Sequence, residues 1–479
     1  MPAGRINIFL FYTVSACFLA LNFYLVVVHD SLWFAALPVA LAFALAAIAR
    51  IDYLLLSLAF FTPLSLPLKE IIPGLSFDMN LPTEPLLFGL LLFFMLKLSQ
   101  RQIPDRNLLR HPVTLAVAFY LAWMLFTSLT SSMPSVSLKY WISKLWFVVA
   151  FYWFGYALLQ HKMSIYRFVL LYGIGFLPVI GYAWWRHSGY GFFDHQAANY
   201  VMNPFFKDHT SYGAMLVFFI PALFAMWRNQ QLTRLVRMLS LFLLSVFSVA
   251  LVFSYTRAAW LSLVVAIGVS GILWLKIRFR TVLVLGLVFV GIVFLFQDQL
   301  VERLETNKQE SSAELEGHLN SISNVSTDAS NVERLNRWSS AIAMFREKPL
   351  LGWGPGTYMF EYAPFQRTDL RTIISTNSAD GGNAHSEYLG PLAESGILGL
   401  GSFLLLVVLI LRTGFRVYAQ AENKTDRAMA LAVFLGLVSY LVHGFLNNFL
   451  DTDKAAVPFW MFTVFLVVQD LRFKQRKLS

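Results

Sequence analysis

Residues 239–275 read LSLFLLSVFSVALVFSYTRAAWLSLVVAIGVSGILWL, two apolar runs that meet at a short polar step, Ser254-Tyr-Thr-Arg257. Such apolar blocks, each about 16 to 25 residues long, match the length that a helix needs to cross ~30 Å of hydrocarbon. They recur along a chain that is 57% hydrophobic and only 13% charged. Because a β-barrel would show alternating segments of about 10 residues instead, the sequence predicts an all-α polytopic membrane protein.

The apolar blocks predict about fourteen transmembrane helices. They lie near residues 7–28, 31–49, 51–66, 82–99, 112–130, 141–159, 167–185, 211–227, 239–254, 258–275, 281–297, 397–412, 429–447 and 456–471. We therefore expect N-terminal transmembrane helices over 1–297, a loop domain over 298–396 and C-terminal transmembrane helices over 397–479.

Basic residues decide the predicted orientation. The net charge of +10 is scattered among short loops between the apolar blocks, which favours membrane orientation over a nucleic-acid partner. The basic loops all fall on one side if fourteen spans cross, so that side is cytoplasmic and holds both termini. The long polar loop then faces outward, which in a bacterial inner membrane means the periplasm. We expect a retained first helix, and the single cysteine, Cys17, allows no intrachain disulfide.

The long outward stretch, from Gln297 to Ser395, has two parts. Residues 301–331 are rich in Ser, Asn and Glu and predict a mobile or partly helical insert. Apolar residues at helical spacing follow, and Pro349 ends the pattern, which predicts an amphipathic helix over the membrane face. The glycines of Gly352-Trp-Gly354-Pro-Gly356 predict a tight turn, since neither a strand nor a Gly-Lys-Ser/Thr sequence marks a phosphate loop here.

Several basic residues are placed where they can act on a ligand. The tight turn between two spans leaves Arg257 at the outward membrane edge, where its guanidinium can bind phosphate oxygens or a lipid head group. Lys144 lies about one turn inside a predicted span, so it either snorkels or faces a wet cavity. An outward loop contributes Arg186, Lys207 and His209, as ligand-binding groups or as a solvated surface.

A second motif runs into the next apolar helix as Asn383-Ala-His385-Ser-Glu387-Tyr388. We expect this motif to be helical, with His385 on one face and Glu387 on the face of Glu394. His385 is either a buried structural histidine or a general base, since neutral imidazole accepts a proton near pH 7. The pair Asp451 and Asp453 is expected to be solvated and not to bind a metal.

These features together resemble a known family, the O-antigen ligase and O-antigen polymerase superfamily. The resemblance rests on the Ser-x-x-Arg turn at Arg257, the run from Arg334 through Trp338 to Gly354, and the His385 motif. It covers about residues 200–470, and the first spans match only in hydrophobicity.

The resemblance implies a metal-independent, inverting glycosyltransferase of GT-C-like architecture that needs no cofactor. Its donor would be a glycan on undecaprenyl diphosphate, with Arg257 binding the diphosphate and His385 as the base. Arg334 takes the place of a motif arginine at the start of the outward helix. Arg186, Lys207 and His209 compete for the other diphosphate position, and Lys144, Glu387 and Tyr388 complete the expected substrate site.

Three functions stay open at this point. The first is transfer of the glycan to lipid A-core, the ligase reaction of lipopolysaccharide biosynthesis. The second is polymerisation of lipid-linked repeat units, or transfer to protein. The third is transport of lipid-linked glycans. Transporters place ionisable groups near the bilayer midplane, whereas here these groups cluster at the outward edge, which favours an enzyme.

Overall fold

The computed structural model of the protein describes residues 8–29, 49–72, 79–101, 105–161, 164–277, 281, 329–371, 375 and 382–478. The longer helices in this part are α1 (Ile8–His29), α2 (Ile51–Phe61), α3 (Thr83–Ser99), α4 (Pro112–Leu129), α5 (Pro134–Leu158), α6 (Ser164–Tyr190), α7 (His209–Arg228), α8 (Arg234–Phe253), α9 (Arg257–Trp274), α10 (Ala329–Glu347), α11 (Leu389–Gln420), α12 (Lys424–His443) and α13 (Asp453–Leu478). The sheet within this part is a two-stranded antiparallel ribbon of β1 (Leu66–Pro67) and β2 (Asn80–Leu81).

Nine helices within the described residues are long and apolar enough to cross a membrane: α4 to α9 and α11 to α13. Each matches one predicted span, which confirms the prediction of an all-α, multi-pass membrane protein. The largest differences at the helix starts are in α5, which begins at Pro134, and α11, which begins at Leu389. The polar residues in their first turns lower the local hydropathy from which the span edges were predicted.

The other five predicted spans have different outcomes. The first and fourth correspond to α1 and α3, which have 22 and 17 residues. The third corresponds to α2, whose 11 residues make a helix only about 16 Å long, too short to cross alone. Most of 31–49 and nearly all of 281–297 lie outside the described residues. The count of fourteen and the GT-C architecture stay predictions.

The chain divides into two compact units, Met1–Leu54 and Leu55–Ser479. The first contains α1, and the second contains all nine candidate spans. The predicted domain boundaries at 297 and 396 stay predictions.

Aromatic side chains fill the interior of the second unit. Tyr172 of α6 stacks on Phe219 of α7 with ring centroids 4.3 Å apart, and Phe218 contacts Phe462 of α13 at 4.6 Å. Gly436 lets α12 approach α7 closely, because an added Cβ would lie 2.6 Å from the Phe218 carbonyl oxygen. Small residues at such crossings allow close backbone packing between membrane helices.

The segment 329–388 lies at one end of this bundle, which we call the loop side. The Ser132 amide, between α4 and α5, donates to the Trp353 carbonyl at 3.0 Å. Between α12 and α13, the Leu446 carbonyl accepts from Arg334 Nε at 3.3 Å. The helix predicted to end before Pro349 is confirmed as α10, which ends at Glu347.

The three glycines of the predicted tight turn all adopt positive φ, at +69°, +116° and +75°, which confirms the turn. It packs against a kink in α11 at Gly396, where φ is +69°. Backbone amides of the turn satisfy carbonyls near the kink: Trp353 donates to Ala393 at 3.1 Å and Gly354 donates to Glu394 at 2.8 Å. These bonds join the loop-side segment to a membrane helix.

The predicted insert over 301–331 lies outside the described residues except for its last three. The prediction of a solvated aspartate pair is wrong, because Asp453 is fully buried. Its carboxylate accepts hydrogen bonds from Ser65 Oγ and Thr83 Oγ1, both at 2.5 Å.

Candidate functional site

Arg257 is the first residue of α9, which follows α8 after only three residues, as the sequence predicted. Tyr255 turns the chain with a φ of +49°. Thr256 Oγ1 donates to the His209 carbonyl at 2.7 Å, so the turn is attached to the start of α7. Gly213 permits this contact, since an added Cβ would lie 2.8 Å from Thr256. Arg257, half-buried, thus adds its charge to the positive end of a helix.

His209 opens α7 beside Asp208, the residue that caps this helix. Asp208 Oδ1 accepts from the Ser211 amide at 2.8 Å and the Thr210 hydroxyl at 2.7 Å. Although burial favours the protonated carboxyl, these hydrogen bonds lower the pKa of Asp208 below its ordinary value. His209 lies within electrostatic range of Asp208, Arg334 and Arg257, so the α7 and α9 starts meet α10 here.

Arg334 and Arg337 come from one face of α10, three residues apart. Arg334 is half-buried, and its Nε donates to the Leu446 carbonyl. Arg337 is buried; its Nε bonds Glu333 Oε1 at 2.6 Å and its guanidinium lies 4.2 Å from the Tyr362 ring centroid. Arg337 was not predicted as a site residue, although its spacing from Arg334 was a usable signal.

His385 lies in a non-helical turn, so the prediction that its motif is helical is wrong. Its φ is +47°, its amide donates to Asn383 Oδ1 at 3.0 Å, and its carbonyl accepts from Trp338 Nε1 at 3.3 Å. The helix begins only at Leu389. The Asn383 side chain supports the left-handed backbone, which few residues other than glycine adopt without such help.

The electrostatic setting of His385 keeps its imidazole neutral. Burial lowers the pKa of His385 to about 4, and the positive charges of Arg334 and Arg337 add to this effect. Asp208 and Glu333 oppose it from the same surroundings. His385 therefore shares Arg334 and Asp208 as neighbours with His209, which in turn has Arg257 within range.

A further histidine, His443 at the end of α12, was not predicted. It is buried, with Nε2 3.2 Å from Asn447 Nδ2, and lies within range of Arg334, Asp208 and His209. Its signal in the sequence was a histidine closing an apolar helix four residues before an asparagine. We call the set Arg257, Arg334, Arg337, His209, His385 and His443, with Asp208 and Glu333, the basic cluster.

Three further predicted site residues are not part of the basic cluster: Lys144, Glu387 and Tyr388. Lys144 is buried about 15 Å along α5, with its Nζ 5.0 Å from the Tyr140 ring centroid. Its predicted position near the membrane edge stays a prediction. Lys144 lies within range of Glu387 and Glu394. Tyr388 packs on Phe445 at 4.3 Å.

Glu387 joins two segments of the loop side. Its Oε1 accepts from Tyr440 Oη at 2.6 Å and from the amides of Phe449 and Leu450 at 2.7 and 2.9 Å. Its own amide donates to the Gly444 carbonyl at 2.8 Å. Burial raises the pKa of Glu387, while Lys144 and these hydrogen bonds oppose the rise. The predicted substrate role of Glu387 stays a prediction.

The remaining predicted site residues, Arg186 and Lys207, are not part of the basic cluster. Arg186 Nη1 donates to the Asn203 carbonyl at 2.7 Å, so this side chain holds the loop before α7. Lys207 is exposed. In the described part of the chain, no three His, Cys, Asp or Glu side chains are grouped so that they could hold a metal ion.

Fold and site together define a multi-pass helical membrane protein with arginine and histidine side chains gathered at one end of the helix bundle. Residues 239–404 match the family model described as O-antigen ligase. The match covers about a third of the chain and includes Arg257, Arg334 and His385. The resemblance inferred from the sequence is thereby confirmed. No curated protein matches the chain. The family match supports a glycosyltransferase-like enzyme acting on lipid-linked glycans.

Proposed function

We propose that this protein is an O-antigen ligase-like glycosyltransferase that moves a glycan from undecaprenyl diphosphate to lipid A-core. The observation that supports this proposal is electrostatic. Arg334, in the family-matched segment, lies within electrostatic range of both His385 and His209, and Arg257 lies within electrostatic range of His209. The proposed setting is a GT-C-like fold in a bacterial inner membrane, with both termini cytoplasmic and the loop side periplasmic.

The arginines supply what a diphosphate leaving group requires. Arg257 adds its guanidinium to the positive end of α9, a favourable place for phosphate oxygens. Arg334 approaches from α10, with Arg337 behind it. Cations already fixed before the reaction stabilise the charge that develops on the departing diphosphate, at little reorganisation cost.

His385 would take the proton from the acceptor hydroxyl. The acceptor oxygen attacks the anomeric carbon as the bond from that carbon to the diphosphate oxygen breaks, which inverts the configuration. The proton passes to the imidazole, and the electron pair of the broken bond leaves with the diphosphate. A pKa near 4 makes His385 a weak base in the free protein. A bound diphosphate would offset the nearby arginine charges and raise its basicity.

The ligase proposal can be tested with purified protein in nanodiscs, chelator present, and an undecaprenyl-diphosphate-linked glycan as donor. Lipid A-core, a second lipid-linked repeat unit and an acceptor protein are offered separately. We expect glycan on lipid A-core. Product on another acceptor would replace the ligase proposal by polymerase or protein transfer. Donor that crosses the bilayer without any covalent product would instead indicate transport.

A further inference from the structure

Residues 444–452 connect α12 to α13 and contact two segments that carry proposed reactive groups. Arg334 Nε donates to the Leu446 carbonyl at 3.3 Å, which attaches α10 to this connection. The Glu387 amide donates to the Gly444 carbonyl at 2.8 Å, which attaches the segment that carries His385 two residues earlier. One short connection therefore contacts both an arginine of the basic cluster and the segment of the proposed base.

A third contact joins α10 directly to His385. Trp338 Nε1 donates to the His385 carbonyl at 3.3 Å, and Trp338 lies on α10 about one turn after Arg334. The helix α10, the His385 segment and the connection 444–452 therefore hold one another in a closed set of three contacts. Loss of any one contact frees His385 and Arg334 to shift relative to each other.

Glu387 makes more of these contacts than its backbone alone would provide. Its carboxylate Oε1 accepts hydrogen bonds from the amides of Phe449 and Leu450, at 2.7 and 2.9 Å. The same oxygen accepts from Tyr440 Oη at 2.6 Å. Hydrogen bonds to a carboxylate are roughly twice as strong as those between neutral groups. With the backbone bond to Gly444, they fix the connection near both of its ends on a single residue.

The Glu387 side chain is enclosed by protein. The residue is 8% exposed, and an added Cβ on Gly444 would lie only 3.0 Å from Glu387 Cγ. Lys144 lies within electrostatic range and offsets part of the cost of burying the carboxylate. A buried oxygen that already accepts three protein hydrogen bonds has little surface left for a substrate. This arrangement favours a positioning role over the substrate contact that the sequence predicted.

We propose that Glu387 is a positioning residue, which sets the place of His385 relative to Arg334 through the connection 444–452. The inference rests on the proposed glycosyltransferase function. In that reaction the base must meet the acceptor hydroxyl while the arginines hold the diphosphate, so base and cation have to be aligned together. A displacement of about 1 Å can cost about 10²-fold in rate. Loss of Glu387 should therefore slow the chemical step and leave substrate binding nearly unchanged.

Three substitutions test this role. Glu387→Ala removes the carboxylate, Glu387→Gln keeps an oxygen acceptor without the charge, and Gly444→Ala adds a methyl group against Glu387 from the other side. Transfer is measured in nanodiscs with lipid A-core, or with whichever acceptor the wild type glycosylates, and rates are divided by the number of donor-binding sites. We expect kcat to fall about 10²-fold for Glu387→Ala and about three- to tenfold for the other two, with both KM values within about twofold of the wild type.

A His385→Ala background separates positioning from a general loss of structure. Once the base is absent its placement no longer matters, so Glu387→Gln added to His385→Ala should cause no further loss of single-turnover rate. A purely structural role predicts the same loss in both backgrounds. Glu347→Gln, at an exposed position at the end of α10, is the matched control and should transfer as the wild type does.

The outcomes separate the two proposals. A kcat of Glu387→Ala within about twofold of the wild type, a KM raised more than about fivefold for either substrate, or equal losses in the two backgrounds would each overturn the positioning role while transfer itself stands. If Glu387→Ala does not fold, unchanged kcat values of Glu387→Gln and Gly444→Ala would overturn it. Absence of transfer by the wild type to every acceptor would overturn the proposed function and the role of Glu387 with it.

Discussion

His385 carries two constraints that a histidine in an ordinary helix lacks. Its left-handed backbone is held by Asn383 and Trp338, and its imidazole lies within range of the positive charges of Arg334 and Arg337. The first constraint keeps His385 outside the helix that follows, which begins only at Leu389. The second keeps it unprotonated, which is the form that a general base needs.

The low pKa of His385 predicts how the activity depends on pH. Because burial and the two arginines lower this pKa to about 4, the acid limb of kcat/KM should lie near pH 4 and not near 6.5. Activity should then change little between about pH 5.5 and 8 on account of this group. Between pH 6.5 and 4 the unfolded chain binds a proton that the folded chain excludes, so His385 lowers stability as pH falls. An acid limb near pH 6.5 would contradict this prediction, because it would indicate a base with the ordinary pKa of a solvent-exposed histidine.

The role of Arg257 should depend on the planar shape of its guanidinium as well as on its positive charge. Arg257→Lys keeps the charge but loses the planar fork of donors that matches two phosphate oxygens. We expect at least a tenfold loss in kcat/KM for the lipid-linked donor. Arg234→Lys, an exposed position at the start of α8 on the opposite membrane face, is the control. Unchanged activity of Arg257→Lys would assign this arginine to lipid contact alone.

Single residues were predictable from the sequence where a motif or a tight turn isolates them. Arg257 and His385 were found in this way, and the structure places them within one cluster. Arg337 and His443 were missed, because both are buried and their neighbours in the basic cluster come from other segments of the chain. The carboxylate neighbours of Lys144 were not predicted, since they come from α11 and the turn before it.

At the scale of elements, the contact between the glycine-rich turn and the kink in α11 connects the loop side to the membrane helices. Gly352 and Gly396 face each other closely: an added Cβ on Gly352 would lie 2.3 Å from the Glu394 backbone, and one on Gly396 would lie 2.2 Å from the Leu350 carbonyl oxygen. The turn was predicted from its glycines. Its partner was not, since nothing local specifies which helix a turn packs against.

Gly396→Ala should therefore destabilise the protein. The substitution places a Cβ on a left-handed residue, which costs about 1–2 kcal/mol, and it also meets the Leu350 backbone. We expect a lower midpoint of thermal unfolding in a fixed detergent, with reduced transfer activity. Gly401→Ala, in the same helix with open space around its Cβ, should leave the midpoint unchanged or slightly raised. Equal midpoints for the two variants would refute the close contact.

At the scale of the whole molecule, the membrane-spanning helices are the feature that hydropathy predicted best. Nine of the spans were located from apolar runs alone, because lipid-facing helices must be apolar along their length. The starts of α5 and α11 were missed, since polar residues near these starts, Lys139 and Glu394, lower the local hydropathy. The Glu394 carboxylate is compensated by the amides of Gly356 and Tyr358. Such compensation cannot be read from local composition.

The proposed orientation can be measured with cysteines. In a Cys17→Ser background, Thr368→Cys on the loop side and Glu422→Cys in the α11–α12 connection are both exposed positions. In spheroplasts, a membrane-impermeant maleimide should label the first and not the second, because basic loops stay in the cytoplasm. Both should be labelled after permeabilisation. Labelling of Glu422→Cys alone in intact spheroplasts would invert the orientation.

The most direct test of the central claim is a single-turnover measurement on His385→Ala in nanodiscs, with donor binding determined on the same sample. The proposed chemistry predicts donor bound as in the wild type but transfer slowed by about 10²- to 10⁴-fold, since only the base is removed. His161→Ala, an exposed histidine at the opposite end of the bundle, should transfer normally. Transfer by His385→Ala within about tenfold of the wild type would contradict the assignment of His385 as the base.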